Sequence, residues 1–247
     1  MARSGAIAVL VPLTLTAAVL TFSGPAAQSA PPRQSPIDIT AESVRVNPAL
    51  PALQIGYGHS DIELSYVRKD AGTPNGCTTR HHEETEEAEV QPGSAHVTLS
   101  GVRYDLVQFH FHTPSEHRLG GHAAPLEMHL VHRSAAGRLL VIGIPLLPGR
   151  GSTVDTVLAR PAAECGDPIH VGEIDLNSLL PADRTSLRYD GSLTTAPFTE
   201  GVQWFLMRDK TVSQATISRF QSLFVHGNAR ATQPLNGRTA QAERPHI

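Results

Sequence analysis

The stretch "QFHFHTPSEH", residues 108–117, alternates aromatic and histidine side chains before it runs into a short polar segment. In a β-strand, residues two apart point to the same face, so His110 and His112 project together while Phe109 and Phe111 point into the opposite layer. Two imidazoles on one pleated face are a ready pair of neutral nitrogen ligands, and zinc is the usual metal for such a set. The stretch therefore predicts a strand that carries part of a metal site.

The next predicted strand, "PLEMHLVH" (125–132), offers a third ligand. Its alternation places His129 on one face with Glu127 and Val131, and His132 on the other face. Three histidine ligands leave one tetrahedral position open to water, which is the arrangement of catalytic zinc sites and not of structural ones. Zinc lowers the pKa of that water to about 7. Periodicity alone leaves open the alternative that these histidines are packed or surface residues without a metal.

Composition limits the function classes that the chain can belong to. It has 247 residues, 40% of them hydrophobic, which is enough for one sizeable core or at most two small ones. The net charge of −3 provides no electrostatic footprint for nucleic acid. The two cysteines, Cys77 and Cys165, are too few for a thiolate-rich metal site, so any metal must be bound mainly by histidine. In an oxidising compartment the same two cysteines can form one disulfide.

The N-terminus has the pattern of a secretory signal. Arg3 precedes an apolar stretch from Ala6 to Phe22, and small residues follow it. We predict a signal peptide over residues 1–27, with cleavage between residues 27 and 30, and a secreted or periplasmic mature protein. The alternative is a retained membrane anchor, because about 17 apolar residues approach the minimum spanning length. Pro12, inside the apolar stretch, and the small residues after Phe22 favour cleavage, and no membrane attachment is expected once the signal is removed.

Alternating patterns dominate the rest of the chain and predict one mainly β domain, over residues 31–240, with short peripheral helices. The predicted strands include a hairpin over residues 125–146 and a strand over residues 199–208. Helices are predicted over Thr153–Arg160 and over Ser213–His226, the second with a serine cap and with a glycine at its end. Residues 69–90 form a turn-rich polar segment that ends in five glutamates, and we expect a solvated loop followed by an exposed edge strand.

Five blocks of the sequence resemble the α-class carbonic anhydrases of the secreted bacterial type. They are "QSPIDI" (34–39), "QFHFHTPSEH" (108–117), "PLEMHLVH" (125–132), "GSLTTAPFTEGVQW" (191–204) and "QPLNGR" (233–238), in the order that the family has them. The resemblance implies a large twisted, mostly antiparallel central sheet with zinc at the foot of a cleft. It also implies reversible, zinc-dependent hydration of carbon dioxide to bicarbonate, with no nucleic-acid partner. Sulfonamide-type or small-anion inhibitors are expected, and the protein is expected to be a monomer or a homodimer.

The resemblance assigns roles around the metal. His110, His112 and His129 would bind Zn²⁺. Three further groups would accept hydrogen bonds from the N–H groups of these ligands: the side chains of Gln108 and Glu127 and the backbone carbonyl of Asn228. His117, in contrast, resembles a buried structural histidine bonded to Tyr189.

Further matching positions concern the substrate. Thr194 would accept a hydrogen bond from zinc-bound hydroxide and donate its own proton to Glu116, and Thr195 would help to position bicarbonate. The apolar wall for carbon dioxide would consist of Val131, Val141, Leu193, Val202 and Trp204.

The residue that carries the proton away is left open by the resemblance. Family members often have a shuttle histidine on a strand before the two clustered histidines, and a count back from Pro92 reaches Glu84 at that place. His81 and His82 are the candidate shuttles, and His59 is a lesser one. These histidines also fit exposed residues without a role.

Two other functions compete with catalysis. A carbonic-anhydrase-like binding protein would keep the fold without stoichiometric zinc. A zinc scavenger would use His81, His82 and the glutamate run to bind more than one zinc ion per chain.

Overall fold

The computed structural model describes residues 30–68 and 84–244, and those from Pro32 onward form one compact unit. The strands are β1 (Asp38–Ile39), β2 (Val44–Val46), β3 (Leu53–Tyr57), β4 (His59–Val67), β5 (Thr85–Val90), β6 (Ala95–Leu99), β7 (Val102–His112), β8 (Arg118–Leu119), β9 (His122–Ala123), β10 (Leu126–Ser134), β11 (Leu139–Pro148), β12 (Ile169–Asp175), β13 (Ser186–Ser192), β14 (Glu200–Met207), β15 (Lys210–Val212) and β16 (Ala240–Ala242). The α-helices are α1 (Thr153–Val157) and α2 (Gln214–Leu223), and short 3₁₀ helices cover Ala41–Ser43 and Leu176–Leu179.

Within the described residues, thirteen strands form one sheet. Its main path runs β12-β4-β5-β7-β10-β11-β14-β13-β16-β2, while β6 joins β3 to β7 and β15 extends the pairing of β11. Most pairs are antiparallel, but β11 runs parallel to β14 and to β15, and β16 runs parallel to β2. A second, small sheet contains β1, β8 and β9. The predicted mainly β fold with a mostly antiparallel central sheet is confirmed.

The two faces of the sheet bury different sets of side chains, as the alternation in β7 predicts. Phe109 and Phe111 are fully buried in the larger hydrophobic core. Helix α2 covers this core, with the ring of Phe220 centred 6.0 Å from that of Phe111. His110 and His112 project from the opposite face, where a smaller apolar cluster continues across β11, β13 and β14. The metal-site candidates therefore lie on the face of the sheet that α2 leaves open.

Helix α2 begins as the sequence predicts and ends earlier. The Ser213 hydroxyl accepts a hydrogen bond from the Thr216 N–H at 3.2 Å, which caps the first turn. The helix ends at Leu223, three residues before the predicted end, because Phe224 leaves the helical conformation with ψ near 66°. Gly227, with φ of 72°, then turns the chain towards the metal-site candidates. None of the helices in residues 30–68 and 84–244 has the length and apolar character needed to cross a membrane.

The prediction of an exposed edge strand for the glutamate run is wrong. Strand β5 lies between β4 and β7, and the edge position belongs to β12. Glu84 and Glu86 point into the core and are at most 1% exposed. The Tyr66 hydroxyl donates to Oε2 of Glu84 at 2.6 Å, and the Ala162 N–H donates to Oε2 of Glu86 at 3.0 Å. The prediction failed because glutamates are usually exposed, whereas here each of the two buried carboxylates accepts a hydrogen bond from a donor elsewhere in the chain.

We predict that Glu86 makes stability depend on pH. Burial raises the pKa of Glu86 to about 7 from an ordinary value of 4.5. Between these values the folded protein keeps a proton that the unfolded chain loses, so the free energy of unfolding falls as pH rises, by up to about 3 kcal/mol. Glu86→Gln should remove this loss. Urea unfolding of metal-free protein at pH 4.5, 6 and 8 measures it.

The exposed Glu173 on β12 offers a control, because Glu173→Gln should leave the pH dependence of the wild type unchanged. Equal pH profiles for the wild type and for Glu86→Gln would show that the Glu86 carboxyl ionises without penalty.

Candidate metal centre

Three histidines converge on the open face of the sheet. His110 and His129 are directly opposite each other in the antiparallel pair of β7 and β10, and His112 lies two residues further along β7. One nitrogen from each ring lies within 4.8 Å of the other two, and all three side chains are buried. The ring centroids are between 4.7 and 5.2 Å apart. The ladder itself thus positions the three imidazoles around one point.

Each ring uses its other nitrogen to contact an oxygen atom of the protein. Nδ1 of His110 lies 2.9 Å from Oε1 of Gln108, and Nε2 of His129 lies 2.9 Å from Oε1 of Glu127. Nδ1 of His112 lies 3.2 Å from the backbone oxygen of Asn228. Because these oxygens only accept hydrogen bonds, each ring nitrogen must donate, which fixes the tautomer and leaves a lone pair on the nitrogen that faces the cluster.

Electrostatics keep these imidazoles neutral. Burial, together with the neighbouring rings of His112 and His129, holds the pKa of His110 well below its ordinary value. Burial also lowers the pKa of His112 to about 4 and lowers that of His129. Nε2 of His112 is buried and has no hydrogen-bond partner. A buried nitrogen lone pair without a partner, beside two more lone pairs, is the donor set that fits Zn²⁺.

A second group, formed by His117, Glu127 and His129, is a hydrogen-bond network. The Glu127 carboxylate accepts from Nδ1 of His117 at 2.7 Å, from the His117 N–H at 2.8 Å and from Nε2 of His129. Burial alone would raise the pKa of Glu127, but His117 and His129 outweigh burial and hold it well below the ordinary value. The expected bond between His117 and Tyr189 is present at 2.6 Å. Because these nitrogen and oxygen atoms already hydrogen-bond to each other, this group is better described as a hydrogen-bond network than as a second metal site.

Glu116 and Thr194 lie beside the three histidines. Oε2 of Glu116 is 3.6 Å from Nε2 of His112, too far for a hydrogen bond, and Oε1 accepts from the Arg230 N–H at 2.8 Å. Burial raises the pKa of Glu116 to about 7, while His129, the Arg230 N–H and the Thr194 side chain oppose the rise. Thr194 is itself buried, and Thr195 beside it is half-buried.

An apolar wall borders the histidines. Strand register places Val131 opposite Val141 and Val141 opposite Trp204. Val202 lies two residues before Trp204 on β14 and therefore on the same face. Leu193 packs against the same cluster. The five residues that the resemblance assigns to the wall are therefore neighbours, although they come from four separate segments of the chain.

A model of the family described as eukaryotic-type carbonic anhydrase matches residues 23–139 and 158–244. The chain belongs to this family. A carbonic anhydrase of Klebsiella pneumoniae is 39% identical over 145 residues, which are 58% of this chain and 59% of the relative. This chain thus matches about three fifths of that relative's length.

Solved structures agree with the family assignment. The α-carbonic anhydrase of Thermovibrio ammonificans, in complex with the inhibitor sulfanilamide, has a TM-score of 0.74 and 30% identity, covering 85% of this chain and 86% of that one. Dioscorin complexed with ascorbate has a TM-score of 0.72 and 27% identity, covering 85% of both chains. The fold is therefore shared by carbonic anhydrases and by dioscorin.

Three predicted residues, His81, His82 and Cys77, lie outside the described residues. Cys165 is described and is disulfide-bonded, and the Cys77–Cys165 pairing stays a prediction. Through Glu87, His110 is in register with Ser65 on β4, and His59 lies a further ~20 Å along that strand. That distance removes His59 as a direct proton acceptor for the site.

Arg230 is the residue at the site that sequence reasoning missed. Its N–H contacts Glu116, and its guanidinium lies 3.7 Å from the ring centre of Phe198. The signal for it was weak, because a backbone donor can be any residue except proline. Its position two residues after Asn228 was the only available clue.

Loss of one histidine should abolish metal retention. In His112→Ala the buried cluster loses a nitrogen donor and Asn228 loses its partner, so we expect less than one tenth of the zinc content of the wild type after dialysis. Atomic emission spectroscopy measures this content. His170→Ala is the control, because the His170 side chain is 66% exposed on β12. Stoichiometric zinc in His112→Ala would contradict the ligand assignment.

Proposed function

We propose that this protein catalyses the reversible hydration of carbon dioxide to bicarbonate and a proton. The observation that carries the proposal is the set of three neutral imidazoles, whose free nitrogens converge beside an apolar wall in a chain of the carbonic anhydrase family. His110, His112 and His129 would hold Zn²⁺, which supplies hydroxide at neutral pH when it is bound.

The polar partners of the ligands would set the affinity and the orientation of the site. Gln108, Glu127 and the Asn228 carbonyl hold the rings by their outer nitrogens, which keeps the inner lone pairs aimed at one point. Such partners usually change metal affinity by about 10- to 100-fold when they are removed. Glu127 is anchored in turn by His117 and Tyr189.

Thr194 and Glu116 would orient the attacking oxygen. An ionised Glu116 accepts a hydrogen bond from the Thr194 hydroxyl. The threonine oxygen can then only accept a hydrogen bond from a hydroxide in the cleft. That hydroxide can then donate only to Thr194, so its lone pair points at the substrate carbon. Thr195 would contact the product, bicarbonate.

The apolar wall would hold carbon dioxide and exclude water. Carbon dioxide has no net dipole and loses little when it leaves water, whereas an apolar surface offers water no hydrogen bonds. Val131, Val141, Leu193, Val202 and Trp204 form such a surface beside the histidines.

We also propose that the protein is exported, with residues 1–27 as a cleaved signal and residues 31–240 as the catalytic domain. The charged start and the apolar stretch of the N-terminus support this proposal. Sulfonamides should inhibit the enzyme, as the complex of the Thermovibrio ammonificans enzyme with sulfanilamide suggests. A monomer or a homodimer is expected.

A binding protein without catalysis is the second candidate, and the observation in its favour is that dioscorin, which shares this fold, forms a complex with ascorbate. Metal content separates the two candidates, since the binding protein needs no zinc. The convergence of three donor nitrogens, one of them buried without a partner, favours the enzyme.

Stopped-flow measurement of CO₂ hydration tests the proposed function. The zinc-loaded protein should hydrate CO₂ rapidly, and the zinc-free protein should not. Thr194→Ala should retain zinc and lower kcat/KM by roughly 100-fold, because the hydroxide loses its orientation. Thr211→Ala, at an exposed threonine on β15, is the control. Full activity of Thr194→Ala would refute the proposed orientation.

His81 and His82 remain the proposed proton shuttle. If either carries the proton, replacing both with alanine should slow turnover at low buffer concentration and leave it unchanged at high concentration, where buffer takes the proton directly. Stopped-flow rates of CO₂ hydration over a wide range of buffer concentrations measure the effect. The same loss of rate at every buffer concentration would exclude a shuttle role.

A further inference from the structure

Thr194 and Thr195 lie on the loop of residues 193–199, here called the threonine loop, which joins β13 to β14. Inside the loop, the Phe198 N–H donates to the Thr195 oxygen at 2.8 Å and forms a turn. The ladder between β13 and β14 stops before the two threonines, so contacts from outside the hairpin must help to fix their positions.

The backbone of the threonine loop is strained at Phe198. Its φ is 59°, in the left-handed region that a bulky residue rarely adopts. Such a conformation persists where the surroundings hold it, and it occurs often at functional sites. Two contacts hold it here: the Arg230 guanidinium lies 3.7 Å from the centre of the ring, and Nε2 of Gln34 donates to the Phe198 oxygen at 3.2 Å.

Arg230 also contacts the other half of the pair that orients the hydroxide. Its backbone N–H donates to Oε1 of Glu116 at 2.8 Å. Nη1 of its side chain donates to Oε1 of Gln34 at 3.0 Å and to the Ser35 oxygen at 2.6 Å. One residue therefore joins the Glu116 carboxylate, through its backbone, to the threonine loop, through its side chain.

We propose that Arg230 is a positioning residue that sets the separation between Glu116 and Thr194. The inference rests on the proposed function, in which these two side chains orient the attacking oxygen. Arginine suits the role because its planar guanidinium stacks on a ring and donates hydrogen bonds in its own plane at the same time. Lysine keeps the charge and loses this geometry. Phe198 and Gln34 are the contacts through which the Arg230 side chain holds the threonine loop.

A double-mutant cycle tests the proposal. In zinc-loaded protein, Arg230→Lys should lower kcat/KM for CO₂ hydration by about 10- to 100-fold, since small displacements of catalytic groups have effects of this size. In the Thr194→Ala background the same substitution should have almost no further effect, because Arg230 acts through Thr194. An equal loss in both backgrounds would show a general structural role and overturn the proposal.

Arg188→Lys is the matched control. The Arg188 guanidinium also lies over a phenylalanine ring, 4.7 Å from the centre of Phe205, and also donates to a backbone oxygen, that of Pro51. Phe205 belongs to the larger core on the opposite face of the sheet. Arg188→Lys should therefore leave kcat/KM unchanged. A loss equal to that of Arg230→Lys would overturn the proposal.

A binding measurement separates this proposal from the proposed function. Trp204 is the only tryptophan, and its ring is centred 4.9 Å from that of His129, so its fluorescence reports on benzenesulfonamide binding to zinc-loaded protein. Introduced into the wild-type protein, Arg230→Lys should weaken benzenesulfonamide binding at least several-fold. Introduced into the Thr194→Ala variant, it should not change that binding. If the wild type binds benzenesulfonamide without hydrating CO₂, the proposed function fails, and the binding cycle still decides the role of Arg230.

A second variant covers loss of folding. If Arg230→Lys melts early or loses zinc, Phe198→Leu replaces it, because leucine removes the stacking and leaves every hydrogen bond of Arg230 in place. Its effect should again depend on Thr194, and Phe205→Leu is its control. An effect of Phe198→Leu that is independent of Thr194 would overturn the proposal.

Discussion

The site depends on the burial of three neutral imidazoles side by side. A buried ring nitrogen that lacks a partner destabilises the folded state, so each ring needs an acceptor for its N–H before its lone pair can be offered to a metal. Gln108 and Glu127 serve from the same strands as their histidines. The backbone oxygen of Asn228 serves from the segment after α2, and the Asn228 side chain donates to the backbone oxygens of Glu84, just before β5, and Phe111, on β7. Correct docking of α2 is therefore a condition for the metal site.

Glu127 extends this dependence through the molecule. A fully buried carboxylate destabilises the fold by several kcal/mol unless donors surround it. His117 and His129 provide these donors, and His117 is held in turn by the Tyr189 hydroxyl, which donates to Ser35. The block "QSPIDI" (34–39) is thus connected to the candidate metal centre by a series of hydrogen bonds. These hydrogen bonds explain why segments far apart in sequence form one functional unit.

The alternation in the sequence predicted the parts of the site that lie on strands. His110, His112 and His129 share a face because two adjacent strands each have a period of two, and the same rule placed Phe109 and Phe111 in the core. The wall required more information, since the parallel pairing of β11 with β14 brings Val141 to Trp204 across a long connection.

The failures of sequence reasoning have physical causes. The burial of Glu84, just before β5, and of Glu86, on β5, was missed because it depends on two donors, Tyr66 and the Ala162 N–H, that no local pattern reveals. The early end of α2 depends on one backbone angle at Phe224. Arg230 contributes a backbone N–H and a stacked guanidinium, and neither leaves a periodic trace. Tertiary contacts decided each of these cases.

The ligands and the threonines are held by different parts of the fold. The histidines lie on strands with ladder partners on both sides, so their positions follow from many hydrogen bonds at once. Thr194 lies on a loop held by a few side chains, among them Gln34 and Arg230. Metal binding and catalytic orientation therefore have separable determinants. We therefore expect substitutions in the ladder to affect both metal binding and the threonine loop, because the loop is attached to the ladder. Substitutions at Gln34, Phe198 or Arg230 should affect mainly the loop.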